Sequence, residues 1–81
     1  MSSKLFVGNL SVDTSSDELR TLFSEVGVVE SCQVITDPNS GRSKGFGFVH
    51  MDSQEAAHTA REKLNGRDMR GRPLKITERV K

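Results

Sequence analysis

Phenylalanine is the only aromatic residue type in this 81-residue sequence, and three of its four copies alternate with basic side chains. Phe46 and Phe48 follow Lys44 at steps of two residues. Phe6 follows Lys4 at the same step. A flat ring can stack on a nucleobase while a neighbouring ammonium group contacts the phosphate. The alternation therefore indicates a surface suited to single-stranded nucleic acid.

The other reactive side chains stand alone. Cys32 is the only cysteine, which excludes an internal disulfide, and His50 and His58 form no cluster at metal-ligand spacing. The sequence contains no Ser/His/Asp or Cys/His arrangement and no phosphate-binding glycine loop. We therefore expect no metal, no cofactor and no catalytic activity.

Size and charge limit what the chain can be. Its 81 residues suffice for one domain, spanning residues 1–81, and not for two. Because no apolar stretch approaches the roughly 20 residues that cross a bilayer, and no secretory signal is recognisable, we expect a soluble monomer of the cytoplasm or nucleus that contacts no membrane. Residues 1–37 carry two basic and six acidic side chains, whereas residues 38–81 carry ten basic and five acidic ones. The excess of basic side chains in residues 38–81 therefore favours contact with a polyanion.

The first half of the chain predicts a strand, a helix and a second strand. Residues 4–10 are β-prone, and Ser15 with Glu18 forms a capping box at the start of a helix. Gly27 suits the position that follows a helix, and residues 28–35 are rich in β-branched side chains. Between them, an apolar stripe at helical spacing contains Leu19, Leu22, Phe23 and Val26.

The second half repeats this order. Residues 44–51 alternate strictly, Asp52 and Glu55 offer a second helix start, and Gly66 closes that helix. A last strand over residues 74–78 follows a basic loop. Two β-α-β units with both helices on one face give an α+β, ferredoxin-like β-α-β-β-α-β fold with a four-stranded antiparallel sheet. The second helical stripe contains Ala57, Ala60 and Leu64.

One face of this sheet must meet solvent, because both helices cover the other. Successive side chains of a strand point to opposite faces. The set that holds Leu5, Val7 and Val49 suits the helices, whereas the opposite set mixes phenylalanine with lysine, which is rarely buried without a partner. We therefore expect the second set to be exposed, namely Lys4, Phe6, Lys44, Phe46, Phe48, His50, Lys75 and Thr77.

At these residues the chain resembles the RNA-recognition motif (RRM) family. The longer motif of that family, K/R-G-F/Y-G/A-F-V-x-F/Y, is matched at seven of eight positions by Lys44-Gly45-Phe46-Gly47-Phe48-Val49-His50-Met51. The shorter motif is matched by Leu5-Phe6-Val7-Gly8-Asn9-Leu10. The two motifs occur in the order that the family requires, and the resemblance covers about residues 4–79.

The resemblance implies a sheet in the order 4-1-3-2 and a role in binding single-stranded RNA, with single-stranded DNA bound more weakly. Phe6, Phe46 and Phe48 match the family's stacking positions, and Lys44 matches the position that pairs with a backbone phosphate. In such domains the last strand and its exit often add contacts. The residues expected to bind RNA are Phe6, Phe46, Phe48, Lys44, Arg42, Lys4, Asn9, His50, Gln33, Lys75, Thr77 and Arg79.

Some residues outside this set depart from the family pattern or invite another role. Met51 stands where the family prefers an aromatic residue, but its side chain should face the helices. Arg61 occupies a usually aliphatic place on the second helix, where we expect its stem to pack and its guanidinium to reach water. We expect Cys32 to be a small core residue and His58 to be solvated.

Several alternatives remain open at the level of sequence. The phenylalanines could belong to the core, with lysine stems around them. The exposed cluster could instead dock a protein, making the chain a protein-interaction module of RRM fold. A small phosphatase similar to acylphosphatase would need an arginine after the first strand, and residues 8–13 contain none. The basic loop either steers RNA or is simply solvated; its arginines are Arg67, Arg70 and Arg72.

Overall fold

Strands and helices follow one another in the predicted order, with one hairpin added. The structure, a computed structural model, describes residues 3–78. Neither of its two helices is long and apolar enough to cross a membrane. The elements are β1 (Lys4–Gly8), α1 (Ser16–Ser24), β2 (Val29–Thr36), β3 (Ser43–Met51), α2 (Gln54–Leu64), β4 (Asp68–Met69), β5 (Arg72–Pro73) and β6 (Lys75–Glu78).

Four of the strands form one antiparallel sheet in the order β2-β3-β1-β6. This confirms the predicted order, with β6 as the fourth strand of the expected fold. β1 and β3 lie at the centre, where Phe6 is paired with Phe48 and Lys4 with His50. On the other side of β1, Phe6 lies opposite Thr77. The α+β, ferredoxin-like architecture is therefore confirmed.

Both helices cover the same face of the sheet, and the core lies between the helices and that face. Strand residues on that face are buried, whereas most of their neighbours along each strand are exposed or half-buried, as the period of two predicts. Phe23 of α1 is fully buried, and Met51 faces the helices as expected. The core contains Leu5, Val7, Leu10, Leu19, Leu22, Phe23, Val29, Val34, Val49, Met51, Ala57, Ala60, Leu64, Leu74 and Ile76.

Serine side chains determine where the helices begin. At α1, the Ser15 Oγ accepts a hydrogen bond from the Glu18 amide at 3.2 Å, and the Glu18 Oε1 accepts one from the Ser15 amide at 3.2 Å. The predicted capping box is therefore confirmed. The cap of α2 is Ser53 and not Asp52, because the Ser53 Oγ accepts from the Ala56 amide at 3.1 Å. Both residue types are good caps, and the extended backbone of Ser53 decides between them.

Gly27 has a different role from the one predicted for it. The cap residue of α1 is Glu25, which keeps a right-handed conformation, so Gly27 lies beyond the helix end. A Cβ on Gly27 would lie 3.1 Å from the Ala56 Cβ and 3.2 Å from the Met51 Cε. The glycine therefore permits close packing between the chain after α1 and the second helix. Gly66, after α2, does adopt the predicted left-handed conformation, with φ of +85°.

The basic loop before the last strand is a short hairpin that the sequence pattern did not predict. Its strands β4 and β5 pair antiparallel, with Met69 opposite Arg72. The two residues between them, Arg70 and Gly71, have positive φ values of 53° and 83°. Positive φ at both central positions characterises the type I′ turn, whose twist matches that of the paired strands.

Candidate nucleic-acid interface

Three phenylalanine rings form a cluster on the sheet face that the helices leave open. Phe6 and Phe46 are stacked, with ring centroids 5.6 Å apart, and Phe48 meets Phe6 edge-on at 5.7 Å. Phe46 and Phe48 lie 6.1 Å apart at an angle of 84°. The rings are half-buried, and so less exposed than predicted, because they pack against one another; none belongs to the core. We call this cluster the aromatic platform.

Two glycines of the motif strands allow the platform to form. A Cβ on Gly8 would lie 3.1 Å from the Phe6 Cε2, so the bare glycine leaves room for that ring. A Cβ on Gly47 would lie 2.5 Å from the carbonyl oxygen of Gln33, a separation that real side chains do not show. Gly47 therefore lets β2 approach β3 closely where Gln33 is paired with Phe48.

Two predicted phosphate contacts lie where β3 begins. Lys44 is exposed two residues before Phe46, and Arg42 is exposed in the turn between β2 and β3. Backbone hydrogen bonds hold this turn: the Asp37 amide donates to the Arg42 carbonyl at 2.7 Å, and the Gly41 amide donates to the Asp37 carbonyl at 2.8 Å. The two cations are therefore carried at a defined end of the platform.

β6 places polar groups along the opposite side of the platform. Thr77 lies across from Phe6 in the β1–β6 ladder, Lys75 lies across from Gly8, and both of these β6 side chains are exposed. Glu78, the last residue that the structure describes, lies across from Leu5. The predicted contact from Arg79 lies outside the described residues.

At the β2 edge, the platform borders a groove of about 570 Å³. Its lining includes four residues predicted to bind RNA: Lys4, Gln33, Phe48 and His50. Beside them, the His50 Nε2 lies 3.7 Å from the Glu30 Oε1. Glu30 was not among the predicted site residues, so this carboxylate is an addition to the interface.

A β-bulge occurs at Glu30, whose carboxylate lies beside His50, one of the residues that line this groove. Val29 is paired with Met51 and Ser31 with His50, so Glu30 is an extra residue inserted into β2. Two residues of β2 then lie opposite His50 alone. Strict alternation would send Glu30 and Ser31 to opposite faces of the sheet. No face was predicted for these two residues, and the sequence carries no separate signal for the bulge.

Asn9 joins the end of β1 to the β4–β5 hairpin. Its backbone is left-handed, with φ of 61°, a conformation that asparagine tolerates better than most residues. The Asn9 Nδ2 donates to the Pro73 carbonyl at 2.8 Å, and its Oδ1 accepts from the Arg72 Nη2 at 2.8 Å. The structure thus gives Asn9 a positioning role, and its predicted RNA contact stays a prediction.

Comparison with known proteins agrees with this geometry. The model of the RNA recognition motif family matches residues 5–75. The chain belongs to the RNA recognition motif family. The aromatic platform lies on the two central strands of this RRM domain, which are the strands that carry the family's two motifs.

Curated relatives of this RRM domain are RNA-binding proteins and ribonucleoproteins. The chain is 47% identical, over 93% of its length, to the mitochondrial glycine-rich RNA-binding protein 3 of Arabidopsis thaliana. It is 49% identical, over 94% of its length, to the chloroplastic 28 kDa ribonucleoprotein of Spinacia oleracea. The chain spans only 24% and 33% of these two proteins, so it corresponds to one domain of each.

Solved structures share the fold of the RRM domain over almost its whole length. The second RRM domain of yeast poly(U)-binding protein superposes with a TM-score of 0.88 and 38% identity, covering 96% of this chain and 94% of that one. A Sxl-lethal protein/RNA complex superposes with a TM-score of 0.94 and 30% identity, covering all of this chain and 48% of that one.

The relatives overturn the predicted cellular location. The expectation of a cytoplasmic or nuclear protein is wrong, because the relatives include mitochondrial and chloroplastic RNA-binding proteins and a small ribosomal subunit protein of spinach. The expectation rested on the lack of a long apolar segment. That test detects secretory and membrane signals, which are apolar, and does not detect the arginine- and serine-rich leaders used for organelle import.

The arginines around the hairpin of the RRM domain are bound to other protein groups. The Arg70 Nε and Nη2 donate to the two carboxylate oxygens of Glu18 at 3.0 and 2.9 Å. This contact lowers the pKa of Glu18 below its ordinary value. The Arg67 Nη1 lies 4.0 Å from the Glu25 Oε1, and Arg72 is held by Asn9. The region is therefore not a simply solvated loop, because its arginines fasten the hairpin to α1 and β1.

Other singled-out residues have structural surroundings. Cys32, expected to be a core residue, is only partly buried and packs against the core; its Sγ donates to the Ser16 carbonyl at 3.5 Å, and burial raises the pKa of this thiol to about 11. The Arg61 Nε donates to the Glu78 Oε2 at 3.1 Å, so its guanidinium is paired and does not simply reach water. His58 is exposed, as predicted, and lies 3.7 Å from the same carboxylate. In the described part of the chain, no three His, Cys, Asp or Glu side chains are grouped to hold a metal ion.

Proposed function

We propose that this RRM domain binds single-stranded RNA by stacking two or three unpaired bases on the aromatic platform. The observation that carries the proposal is the position of Phe6, Phe46 and Phe48, which lie within 6.1 Å of their neighbours on the open sheet face and outside the core. A base stacked on such a ring contributes about 1 to 3 kcal/mol. Adjacent rings on one face suit successive bases of an extended strand.

Phosphate contacts add to this stacking without dominating it. Lys44 and Arg42 lie at the end of the platform where β3 begins, and Lys75 lies on β6. The whole chain has a formal net charge of only +1. We therefore assign most of the affinity to stacking and a smaller part to these few cations.

Base edges would meet the polar side chains that border the rings. The RRM resemblance supports Thr77 and Arg79 as contacts of this kind, and we propose the same role for Lys4, Gln33, His50 and Asn9. A-form duplex RNA hides the faces of its bases, so only unpaired strands can use the platform. Single-stranded DNA lacks the 2′-hydroxyl, and we propose that it binds more weakly.

The relatives support RNA as the ligand. The curated relatives include RNA-binding proteins and ribonucleoproteins, and the Sxl-lethal structure is a complex with RNA. One open sheet face suffices for the proposed mechanism, so we propose that the domain acts as a monomer. We assign it no catalytic step.

An NMR titration tests the proposed function. Uniformly ¹⁵N-labelled domain is titrated with a single-stranded octanucleotide of mixed sequence and, separately, with a perfect duplex of the same composition. We expect shift changes confined to β1, β3 and their neighbours in the sheet, and we expect the duplex to compete poorly. Equal affinity for duplex and single strand would contradict stacking on the platform. No response to any RNA would favour the alternative of a protein-interaction module.

A further inference from the structure

Glu30 places an acidic group on the face that we propose to bind a polyanion. Its side chain is 53% exposed and lies 3.7 Å from the His50 Nε2, at the β2 edge of the platform. A carboxylate in this place repels every RNA phosphate that approaches it. Its presence weakens the binding of RNA in general unless one particular base forms a favourable contact with it.

The chemistry of a carboxylate selects among the four bases. Two carboxylate oxygens can accept two parallel N–H groups, which is the strongest and most specific way to use them. On its Watson–Crick edge, guanine offers two adjacent N–H groups, N1–H and the 2-amino group. Adenine and cytosine offer one amino group beside an acceptor nitrogen, and uracil offers one N–H between two carbonyls. Only guanine therefore matches both oxygens of Glu30.

The residues that line the groove can contact the other atoms of a guanine base. Lys4 is paired with His50 across β1 and β3, and both residues line the groove, with the His50 imidazole beside the Glu30 carboxylate. Lysine is a common donor to the O6 and N7 acceptors of guanine. Phe48, two residues before His50 on β3, supplies a ring on which the base can stack. Two donors and a stacking surface thus line the groove, and the Glu30 carboxylate lies beside one of these donors.

From this arrangement we infer that the groove at the β2 edge is a guanine site, with Glu30 as its specificity-determining residue. Glu30 accepts hydrogen bonds from N1–H and the 2-amino group, while Lys4 and His50 face the acceptor atoms of the base. In the free domain, the Glu30 Oε1 lies 3.7 Å from the Nε2 of His50, which is one of the residues that line the groove. The inference rests on the proposed binding of single-stranded RNA and adds a base preference to it.

Oligonucleotides that differ in one base, or in one amino group of that base, test the guanine site. Uridine octamers that carry one guanosine, placed at each position in turn, are compared with the all-uridine octamer and with octamers in which inosine replaces that guanosine. Inosine keeps N1–H, O6 and N7 and lacks only the 2-amino group. We expect one position at which guanosine raises affinity by about 5- to 150-fold over uridine, and at which inosine loses a large part of the gain.

Glu30→Gln removes the charge and one of the two acceptors with little change in shape. We expect the preference for guanosine to fall below about threefold in this variant, while affinity for the all-uridine octamer stays equal or rises. Glu55→Gln makes the same change at an exposed place on α2 and should keep the wild-type preference.

The possible results separate this inference from the proposed function. A guanosine preference that persists in Glu30→Gln, or equal binding of inosine and guanosine, would overturn the guanine site. If every octamer binds equally and Phe46→Ala weakens them all, the guanine site fails and the proposed function stands. If no single-stranded octamer binds, the proposed function itself fails.

Discussion

Arg70 and Glu18, 52 residues apart in the chain, are joined by two hydrogen bonds of 3.0 and 2.9 Å. The pair fastens the turn of the β4–β5 hairpin to the first turn of α1. The same carboxylate also accepts a hydrogen bond from the Ser15 amide in the capping box. One glutamate therefore stabilises both the start of a helix and the position of a hairpin that is remote in sequence.

The titration of Glu18 should reveal this pair. Hydrogen bonding to Arg70 is the largest cause of the lowered pKa, followed by the Ser15 amide, so Arg70→Gln should raise the pKa of Glu18 without restoring it completely. Because the folded pKa is lowered, the pair stabilises the fold above the unfolded pKa of roughly 4.3, and the stabilisation is lost as pH falls through the folded value. A ¹³C NMR titration of the Glu18 side-chain carboxyl measures this pKa in the wild type and in Arg70→Gln.

Arg67→Gln is the control for this experiment. Arg67 lies at the same hairpin but is near Glu25, at 4.0 Å, and not near Glu18. Its replacement should leave the titration of Glu18 unchanged. A Glu18 pKa that is the same in wild type and in Arg70→Gln would show that the two side chains are not paired in solution.

Truncating the platform should weaken RNA binding more than it weakens the fold. Phe46→Ala or Phe48→Ala is expected to reduce affinity by roughly 5- to 150-fold, since each stack contributes about 1 to 3 kcal/mol, and Phe6→Ala should have a similar or milder effect. The rings lie outside the core and mainly lose contacts with one another, so the free energy of unfolding should fall by only about 1 kcal/mol. Fluorescence anisotropy and circular dichroism melts measure the two effects.

Phe23→Ala is the matched control for a buried ring. Phe23 is fully buried on α1, so its truncation should cost about 3 to 5 kcal/mol and leave much of so small a domain unfolded. If Phe46→Ala and Phe48→Ala melt as Phe23→Ala does, or if RNA affinity changes by less than about twofold, the platform is not the stacking surface.

The salt dependence of binding should be shallow. Among the described residues 3–78, a few cations border the platform, chiefly Arg42, Lys44 and Lys75, so the log-log slope of affinity against salt should be roughly −1.4 to −2.8. Lys44→Gln should reduce its magnitude by about 0.7, whereas Arg70→Gln should leave it unchanged because Glu18 already holds that guanidinium. A slope steeper than about −5 would mean that the hairpin arginines contact RNA after all.

Two glycine substitutions should differ in cost because of what the new methyl group meets. A Cβ at Gly47 would lie 2.5 Å from the backbone oxygen of Gln33. That oxygen cannot move unless β2 separates from β3. Gly47→Ala should therefore lower the free energy of unfolding by about 1 to 3 kcal/mol. At Gly8 the one tight contact would be with the edge of the Phe6 ring at 3.1 Å, and that ring can rotate, whereas the Lys75 carbonyl oxygen lies at an ordinary distance of 3.9 Å.

We therefore expect Gly8→Ala to be much less destabilising than Gly47→Ala and to shift the ring resonances of Phe6. Urea unfolding followed by circular dichroism and two-dimensional NMR of the aromatic region measure these effects. Equal stability of the two variants would show that the close approach of β2 and β3 is relaxed in solution.

The two faces of the sheet were predictable because alternation is a direct consequence of strand geometry. Phe6 lies between Leu5 and Val7, and the structure buries only the two aliphatic neighbours. The same reasoning correctly placed Met51 against the helices. Where a strand is regular and one face is covered, residue type is sufficient to assign the face.

The features that the sequence did not reveal are those that break regularity. The bulge at Glu30 shifts the alternation along β2, so that Val29 and Val34 are both buried although they are five residues apart. The strands of the hairpin have two residues each, too few to show a period, and their turn begins with Arg70 in a left-handed conformation that its residue type does not favour. Tertiary contacts, such as the pairing with Glu18, select these conformations.

β2 lies at the outer edge of the sheet, where unpaired backbone groups can recruit a strand from another molecule. The inserted Glu30 interrupts the even spacing of those groups and places an exposed carboxylate among them. Farther along the strand, the Val34 amide donates to the Ser16 Oγ at 3.0 Å and is no longer available as a donor. The bulge that brings a carboxylate beside His50 thus also interrupts the edge along which a strand of another molecule would pair.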